Sequence, residues 1–271
     1  MEKIFFKTVD NENLNLWVYD EGNPLKDKER SALIWIHGGG WNSGSPDYFG
    51  DDYDYFTKLG AVCFGVEYRL VSKTENDPQA VRLQGAFSDC IDAIMFIKQN
   101  ANKFGVSADK IVVIGESAGG HLALCTATSV INRFNKEAVP NAVVAINPVL
   151  RTIDRWSESA ARIEGLSLGV DEFYNRYKIL KEVSPSDNIE KNNIPLLLLT
   201  GIDDKCVYPG EVVDFFERYI ACGNKADIEL YPNTGHAFTL PFWYDNDRIS
   251  LNKALNKMEK FLYDLGYIKS K

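Results

Sequence analysis

Several classes of function are set aside by what the chain has little of. Against 38 acidic residues stand 30 basic ones, and the net charge of −8 comes without any cluster of Lys and Arg. A polyanion is repelled by such a surface, so no nucleic-acid partner is expected. The longest apolar runs, such as 111–114 and 196–199, are strand-length, far short of the ~20 residues that a spanning helix needs, and no membrane partner is expected. The opening Met1-Glu2-Lys3-Ile4-Phe5-Phe6-Lys7 has neither an apolar stretch nor a small-residue cleavage site, so no secretory signal is expected. Cysteine is scarce and odd in number: five, scattered without C-x-x-C spacing. They read as small buried hydrophobes in a reducing compartment, which makes a cytoplasmic location the expectation. Neither G-x-G-x-x-G nor G-x-x-x-x-G-K-[ST] occurs, which argues against a dinucleotide or phosphate cradle. Asp47, Asp51, Asp52 and Asp54 interleave with Tyr48, Phe49, Tyr53 and Tyr55, but the EF-hand spacing and its closing glutamate are missing. They read as a solvated helix face with aromatics turned inward. No metal and no cofactor are expected.

What is present suits one large α/β domain. The chain has 271 residues, of which 45% are hydrophobic, enough for a sizeable core. Two strands, 4–9 and 14–19, flank a polar turn and suggest an antiparallel edge. Short apolar runs then alternate with helical periodicity. Strands are expected at 32–36, 61–66, 111–114, 142–146, 195–200 and 227–231. Helices are expected at 79–102, 118–130 and 211–222, with a last one marked by Leu251, Leu255, Met258, Leu262 and Leu265. Alternation of this kind implies βαβ units, hence a mostly parallel central sheet with helices on both faces. The stretch 151–193 is too long for a plain connection. With helical spacing at 172–180, it reads as a small cap inserted between core strands of a single 1–271 domain.

Chemistry concentrates at strand ends. Gly115-Glu116-Ser117-Ala118-Gly119-Gly120 follows the strand 111–114 and opens a helix. A G-x-S-x-G turn in that setting is tight enough to need its glycines, and it lifts the serine hydroxyl above the sheet beside the positive end of a helix dipole. His37-Gly38-Gly39-Gly40-Trp41 follows another buried strand. Consecutive glycines let backbone N–H groups face a cavity, as an oxyanion hole requires, where one donor contributes about 3 kcal/mol in the transition state. A serine nucleophile needs a base, and the chain has three histidines. His37 reads as a loop brace and His121, four residues past Ser117, as a structural histidine on the helix. His236, in a loop after the strand 227–231, is the base by elimination and by position. The third member is a carboxylate in the loop after 195–200, where Asp203 and Asp204 both qualify on spacing. Phe242 and Trp243, just past His236, either line an acyl pocket with Trp41 or pack under the last helix.

The HGGGW loop, the GESAGG elbow running into His121-Leu122-Ala123, and the GIDDKCV and TGHAF loops together resemble the hormone-sensitive-lipase-like carboxylesterases, and more closely their acetyl-esterase branch. The likeness extends from Ala32 to the end and takes in Val66-Glu67-Tyr68-Arg69-Leu70 and Asp89. It implies an α/β-hydrolase fold and cofactor-free ester hydrolysis. It places the acid three after the glycine, at Asp204, with Val207 beyond it, and an oxyanion hole at the N–H groups of Gly39, Gly40 and Ala118. About thirty residues precede the HGGGW strand, leaving no room for the N-terminal helical cap of the larger members. The expectation is therefore a serine esterase for acetyl to butyryl esters, acting on a small-molecule ester through Ser117, His236 and Asp204. An aryl formamidase or amidase, and a non-catalytic hydrolase-like binding protein, are the alternatives. The sequence leaves homo-oligomerisation open.

Overall fold

The computed structural model describes residues 1–9, 11–21, 29–70, 79–153, 170–240 and 248–269. Among them the N-terminal hairpin, β1 (Glu2–Val9) and β2 (Glu12–Tyr19), is antiparallel, and β2 runs antiparallel to β4 (Val62–Val66). The remaining strands are parallel: β3 (Arg30–Ile36), β4, β5 (Val106–Glu116), β6 (Ala142–Ile146), β7 (Leu196–Gly201) and β8 (Ala226–Tyr231). The sheet order is β1-β2-β4-β3-β5-β6-β7-β8. Each residue of β3 is buried, as continuous apolar runs require when both faces of a parallel sheet are covered.

The two faces separate by the period of two along each strand. Ala32, Ile34, Ile36, Val113, Val143 and Leu198 share one hydrophobic cluster with α2 (Gln79–Gln99), α4 (Ala118–Thr126) and α6 (Pro209–Ala221). Leu33, Trp35, Val112, Ile114, Val144 and Leu199 share the other with α1 (Gly50–Lys58) and α7 (Ile249–Asp264). Phe87, Ile91, Ile94 and Ile97 on α2, and Leu251, Leu255, Met258 and Leu262 on α7, are buried, so the expected spacings mark the packed faces. A short α3 (Ala101–Phe104) ends in left-handed Gly105 and hands the chain to β5.

Three expectations need correction. The helix expected at 118–130 stops at Thr126, whose Oγ1 turns back to the Ala123 carbonyl (2.6 Å); Thr128 is then extended, and Ser129–Arg133 is a separate 3-10 turn. The acidic face of α1 is not wholly solvated. Asp52 is fully buried, and among the described residues neither carboxyl oxygen has a hydrogen-bond partner, because the helix turns it inward together with Tyr53 and Phe56. Burial, with Glu116 and Asp51 nearby, raises its pKa well above the usual carboxylate range. Finally, all five cysteines are free thiols, but only Cys63, Cys90 and Cys125 are buried. Cys206 and Cys222 are exposed, one in the loop after β7 and one at the end of α6.

Of the expected cap, residues 154–169, including Trp156, lie outside the described residues, as do Phe242 and Trp243. The described remainder contains α5 (Val170–Glu182). It is tied to the core through buried Leu180 and Val183 and through the Thr152 hydroxyl, which donates to the Leu180 carbonyl (2.6 Å).

Candidate active site

Ser117 sits between the end of β5 and the start of α4 with φ 56° and ψ −117°, a conformation that a non-glycine residue adopts only when its surroundings enforce it. The enforcement comes from close packing. A Cβ at Gly119 would lie 2.0 Å from the Ile36 carbonyl oxygen, and one at Gly115 would lie 2.2 Å from the Gly119 carbonyl oxygen. Only hydrogens there let the helix start this close to β3. The Ser117 N–H is held by the Ile146 carbonyl (2.8 Å), fixing the elbow to β6.

The loops that follow β7 and β8 lie side by side. Ile202 N–H donates to the Tyr231 carbonyl and Asp203 N–H to the Thr234 carbonyl, both at 2.9 Å. This pairing brings a carboxylate beside the histidine loop. Asp204 Oδ2 accepts from His236 Nδ1 at 2.7 Å, and Ser117 Oγ donates to His236 Nε2 at 2.8 Å. The other Asp204 oxygen accepts the N–H groups of Cys206 (2.7 Å) and Val207 (2.9 Å). The Asp204 side chain is buried and that of His236 is 21% exposed. Asp203, the alternative on spacing, faces solvent.

The other histidines are engaged elsewhere. His37 stacks on Tyr68 (4.3 Å between centroids) and donates from Nδ1 to the Gly38 carbonyl; Tyr68 in turn donates to the His37 carbonyl (2.9 Å). His121 donates from Nε2 to the Val183 carbonyl at 2.7 Å. Burial lowers the pKa of each to about 4, so both are neutral at neutral pH.

The Ser117–His236 pair opens onto a cavity of about 520 Å3, lined by the glycines 38–40 together with Trp41, Tyr48, Val149, Val207 and Leu240 among others. Gly39, at φ 107°, turns the loop back on itself, and its carbonyl accepts the Asn42 and Ser43 N–H groups. That carbonyl is thus engaged inside the loop. Ala118 is the first residue of α4, where backbone N–H groups lack intrahelical acceptors. Trp41 is on the cavity wall and meets His121 edge-on at 5.4 Å between centroids.

Of the site residues that escaped the sequence reading, two carry reactive or ionisable groups. Glu116, next to Ser117 and fully buried, accepts from the Thr239 hydroxyl at 2.6 Å and so ties the elbow to the histidine loop. Burial is the main cause that pushes its pKa up to about 7, against the lowering effects of Thr239 and His236. The signal was its place inside the G-x-S-x-G turn, with Thr239 three past His236. Cys206, on the cavity wall, was the other.

Residues 22–219 match the BD-FAE family. The chain is 28% identical over 243 residues to esterase LipC of Mycobacterium tuberculosis, covering 84% of this chain and 57% of that protein. It is 23% identical over 217 residues to an acetylxylan esterase of Xylanibacter ruminicola, covering 79% and 42%. The chain thus spans about half the length of these curated relatives. Among solved structures, esterase 2 of Thermogutta terrifontis with bound propionate superposes with a TM-score of 0.83 at 29% identity, covering 100% of this chain and 96% of that one. Other structures of the same esterase carry butyrate or are phosphorylated by paraoxon.

Proposed function

The chain belongs to the BD-FAE family and has the α/β-hydrolase fold, and from that premise we propose that it is a serine carboxylesterase acting on short-chain acyl esters of small molecules. The observation that carries the proposal is the unbroken hydrogen-bonded series from Ser117 Oγ through His236 to Asp204 Oδ2, opening on the cavity at its serine end. In the proposed reaction Ser117 Oγ attacks the ester carbonyl while His236 Nε2 takes its proton. Asp204 keeps the imidazole proton on Nδ1 and stabilises the imidazolium. The N–H groups of Gly39, Gly40 and Ala118 hold the oxyanion. Collapse of the tetrahedral intermediate expels the alcohol with the proton returned by His236, and water then hydrolyses the acyl-enzyme by the same steps.

The acyl preference, acetyl to butyryl, draws on the cavity volume and on the propionate and butyrate found in the Thermogutta esterase. Trp41, Phe242 and Trp243 are proposed to contact substrate, Trp41 from the cavity wall. The same reading takes 1–271 as one hydrolase domain with 151–193 as its cap. Free thiols at all five cysteines suit a reducing, cytoplasmic setting, and among the described residues no helix is long and apolar enough to cross a membrane. An amidase reading draws on likeness to arylacetamide deacetylases, such as that of Oryctolagus cuniculus, 33% identical over 132 residues that cover 46% of this chain and 31% of that protein. A panel of p-nitrophenyl esters, acetylated saccharides and N-acyl or N-formyl anilides tests both. Esters hydrolysed well above anilides support the esterase; the reverse order overturns it, and no turnover of either class overturns both.

A further inference from the structure

Cys206 places a thiol where the proposed hydrolysis has no use for one. Because the N–H groups of Cys206 and Val207 both donate to Asp204 Oδ1, the loop wraps round the carboxylate and leaves the Cys206 side chain exposed on the cavity wall. Its sulfur, a carboxylate oxygen of Asp204 and a ring nitrogen of His236 all lie within 4.8 Å of one another. Among the described residues this is the one group of three such donors. Cys222, the other exposed thiol, belongs to no such group there.

Sulfur, imidazole nitrogen and carboxylate oxygen are the ligand types zinc takes, and zinc sites with three protein ligands keep a fourth position for water. Calcium and magnesium prefer oxygen throughout, so the thiol selects a thiophilic ion. We propose that Asp204, Cys206 and His236 form a binding site for a thiophilic divalent cation, zinc foremost, whose occupation reversibly switches hydrolysis off. The fourth position would face the cavity, where water reaches it.

The geometry sets the adjustments required. Ligands about 2.0 Å from a tetrahedral ion are roughly 3.3 Å apart. His236 Nδ1 and Asp204 Oδ2, now 2.7 Å apart, must therefore separate by about half an ångström. The sulfur must move inward, which a rotamer change of an exposed cysteine allows. On binding, the thiol proton passes to solvent and the ring proton of His236 moves from Nδ1 to Nε2, so that the lone pairs of Nδ1 and sulfur take up the ion; nothing is oxidised or reduced. His236 then has no N–H to offer Asp204. Nε2 now carries the ring proton and has no lone pair with which to accept one from Ser117, so the proton transfer is blocked.

The switch rests on the esterase reading, whereas the site does not, and the test separates them. Cobalt(II) is titrated into the full chain as a spectroscopic stand-in. One equivalent is expected to give the visible bands of a tetrahedral site and a near-ultraviolet thiolate-to-cobalt charge-transfer band, both removed by zinc. Cys206→Ser and Cys206→Ala are expected to lose the charge-transfer band, and Cys222→Ser to keep it. In p-nitrophenyl acetate hydrolysis, zinc is expected to inhibit and EDTA to restore the rate. The inhibitory zinc concentration should rise at least tenfold in Cys206→Ser, each protein being normalised to its own metal-free rate. No charge-transfer band in the wild type, or a band that survives in both Cys206 variants, overturns the site. A band without inhibition, or equal zinc sensitivity in wild type and Cys206→Ser, overturns the switch. Absence of hydrolysis altogether would sink the esterase reading and leave the cobalt spectrum to decide the site.

Discussion

The loop after β7 and the helix α1 each bury an aspartate, and they treat it in opposite ways. Asp204 meets three donors, two backbone N–H groups and the imidazole of His236. Among the described residues no donor from another residue reaches the Asp52 carboxyl oxygens, and burial drives its pKa upward. Both side chains are out of water, so burial alone distinguishes neither. What differs is the presence of partners arranged to receive a negative charge. A carboxyl without them is shifted toward its neutral form, whereas one surrounded by donors can orient a neighbouring histidine. Glu116 lies between the extremes, with the Thr239 hydroxyl on one oxygen and a pKa of about 7.

The difference is most exposed to test in turnover. Asparagine at 204 keeps the shape but favours the wrong imidazole tautomer, which in the trypsin precedent lowers kcat about 10⁴-fold. A loss of that order, roughly 5 kcal/mol in activation free energy, is predicted for Asp204→Asn on p-nitrophenyl acetate. Asp52→Asn is predicted to change kcat less than about threefold, under 1 kcal/mol. Comparable losses at the two positions would break the contrast.

Stability tests the carboxyls that are buried without enough donors. The folded-state pKa of Glu116 is about 7 against an ordinary 4.5, so between those values the folded protein holds more protons than the unfolded one. Stability contributed by this group therefore falls as pH rises from 4.5 toward 7, by an amount of the order of 3 kcal/mol. Glu116→Gln retains an acceptor for Thr239 and removes the titration, so its stability relative to wild type should rise from pH 5 to pH 8 in guanidinium unfolding. Asp52→Asn should move the same way, since its shift has the same sign. A variant that loses ground as pH rises would contradict both assignments.

Substrate length tests the cavity end of the site. kcat/KM is expected to be highest from acetyl to butyryl esters and to fall at least tenfold beyond octanoyl. A deep channel would instead gain up to about 0.8 kcal/mol per buried methylene, and a maximum at palmitoyl would show one. A small effect is expected at Asp203→Asn, less than about tenfold in kcat, because that side chain faces solvent while its backbone N–H pairs with Thr234.

How much of this was legible depended on how local each signal was. The elbow could be read because strand, flanking glycines and helix are contiguous at 111–126, and the parallel sheet because each strand carried its own apolar run. The choice of Asp204 over Asp203 was not local. Spacing left both open, and resemblance to a known family selected the one that hydrogen-bonds His236. The buried Asp52, the Glu116–Thr239 bond and the exposed Cys206 went unread. Each depends on a distant neighbour or on the turn of a helix, such as Thr239, 123 residues from Glu116. A charged letter in a helix says nothing of which face it lies on when aromatics flank it on both sides, as they do at 47–55.

The proposal that Ser117 is the nucleophile is tested most directly by treating the protein with an organophosphonate and mapping the adduct by mass spectrometry. One adduct per chain is predicted, on the peptide containing Ser117, with none on Ser117→Ala and turnover of that variant abolished while its circular dichroism matches the wild type. An adduct on any other residue, or substantial esterase activity in Ser117→Ala, would contradict it.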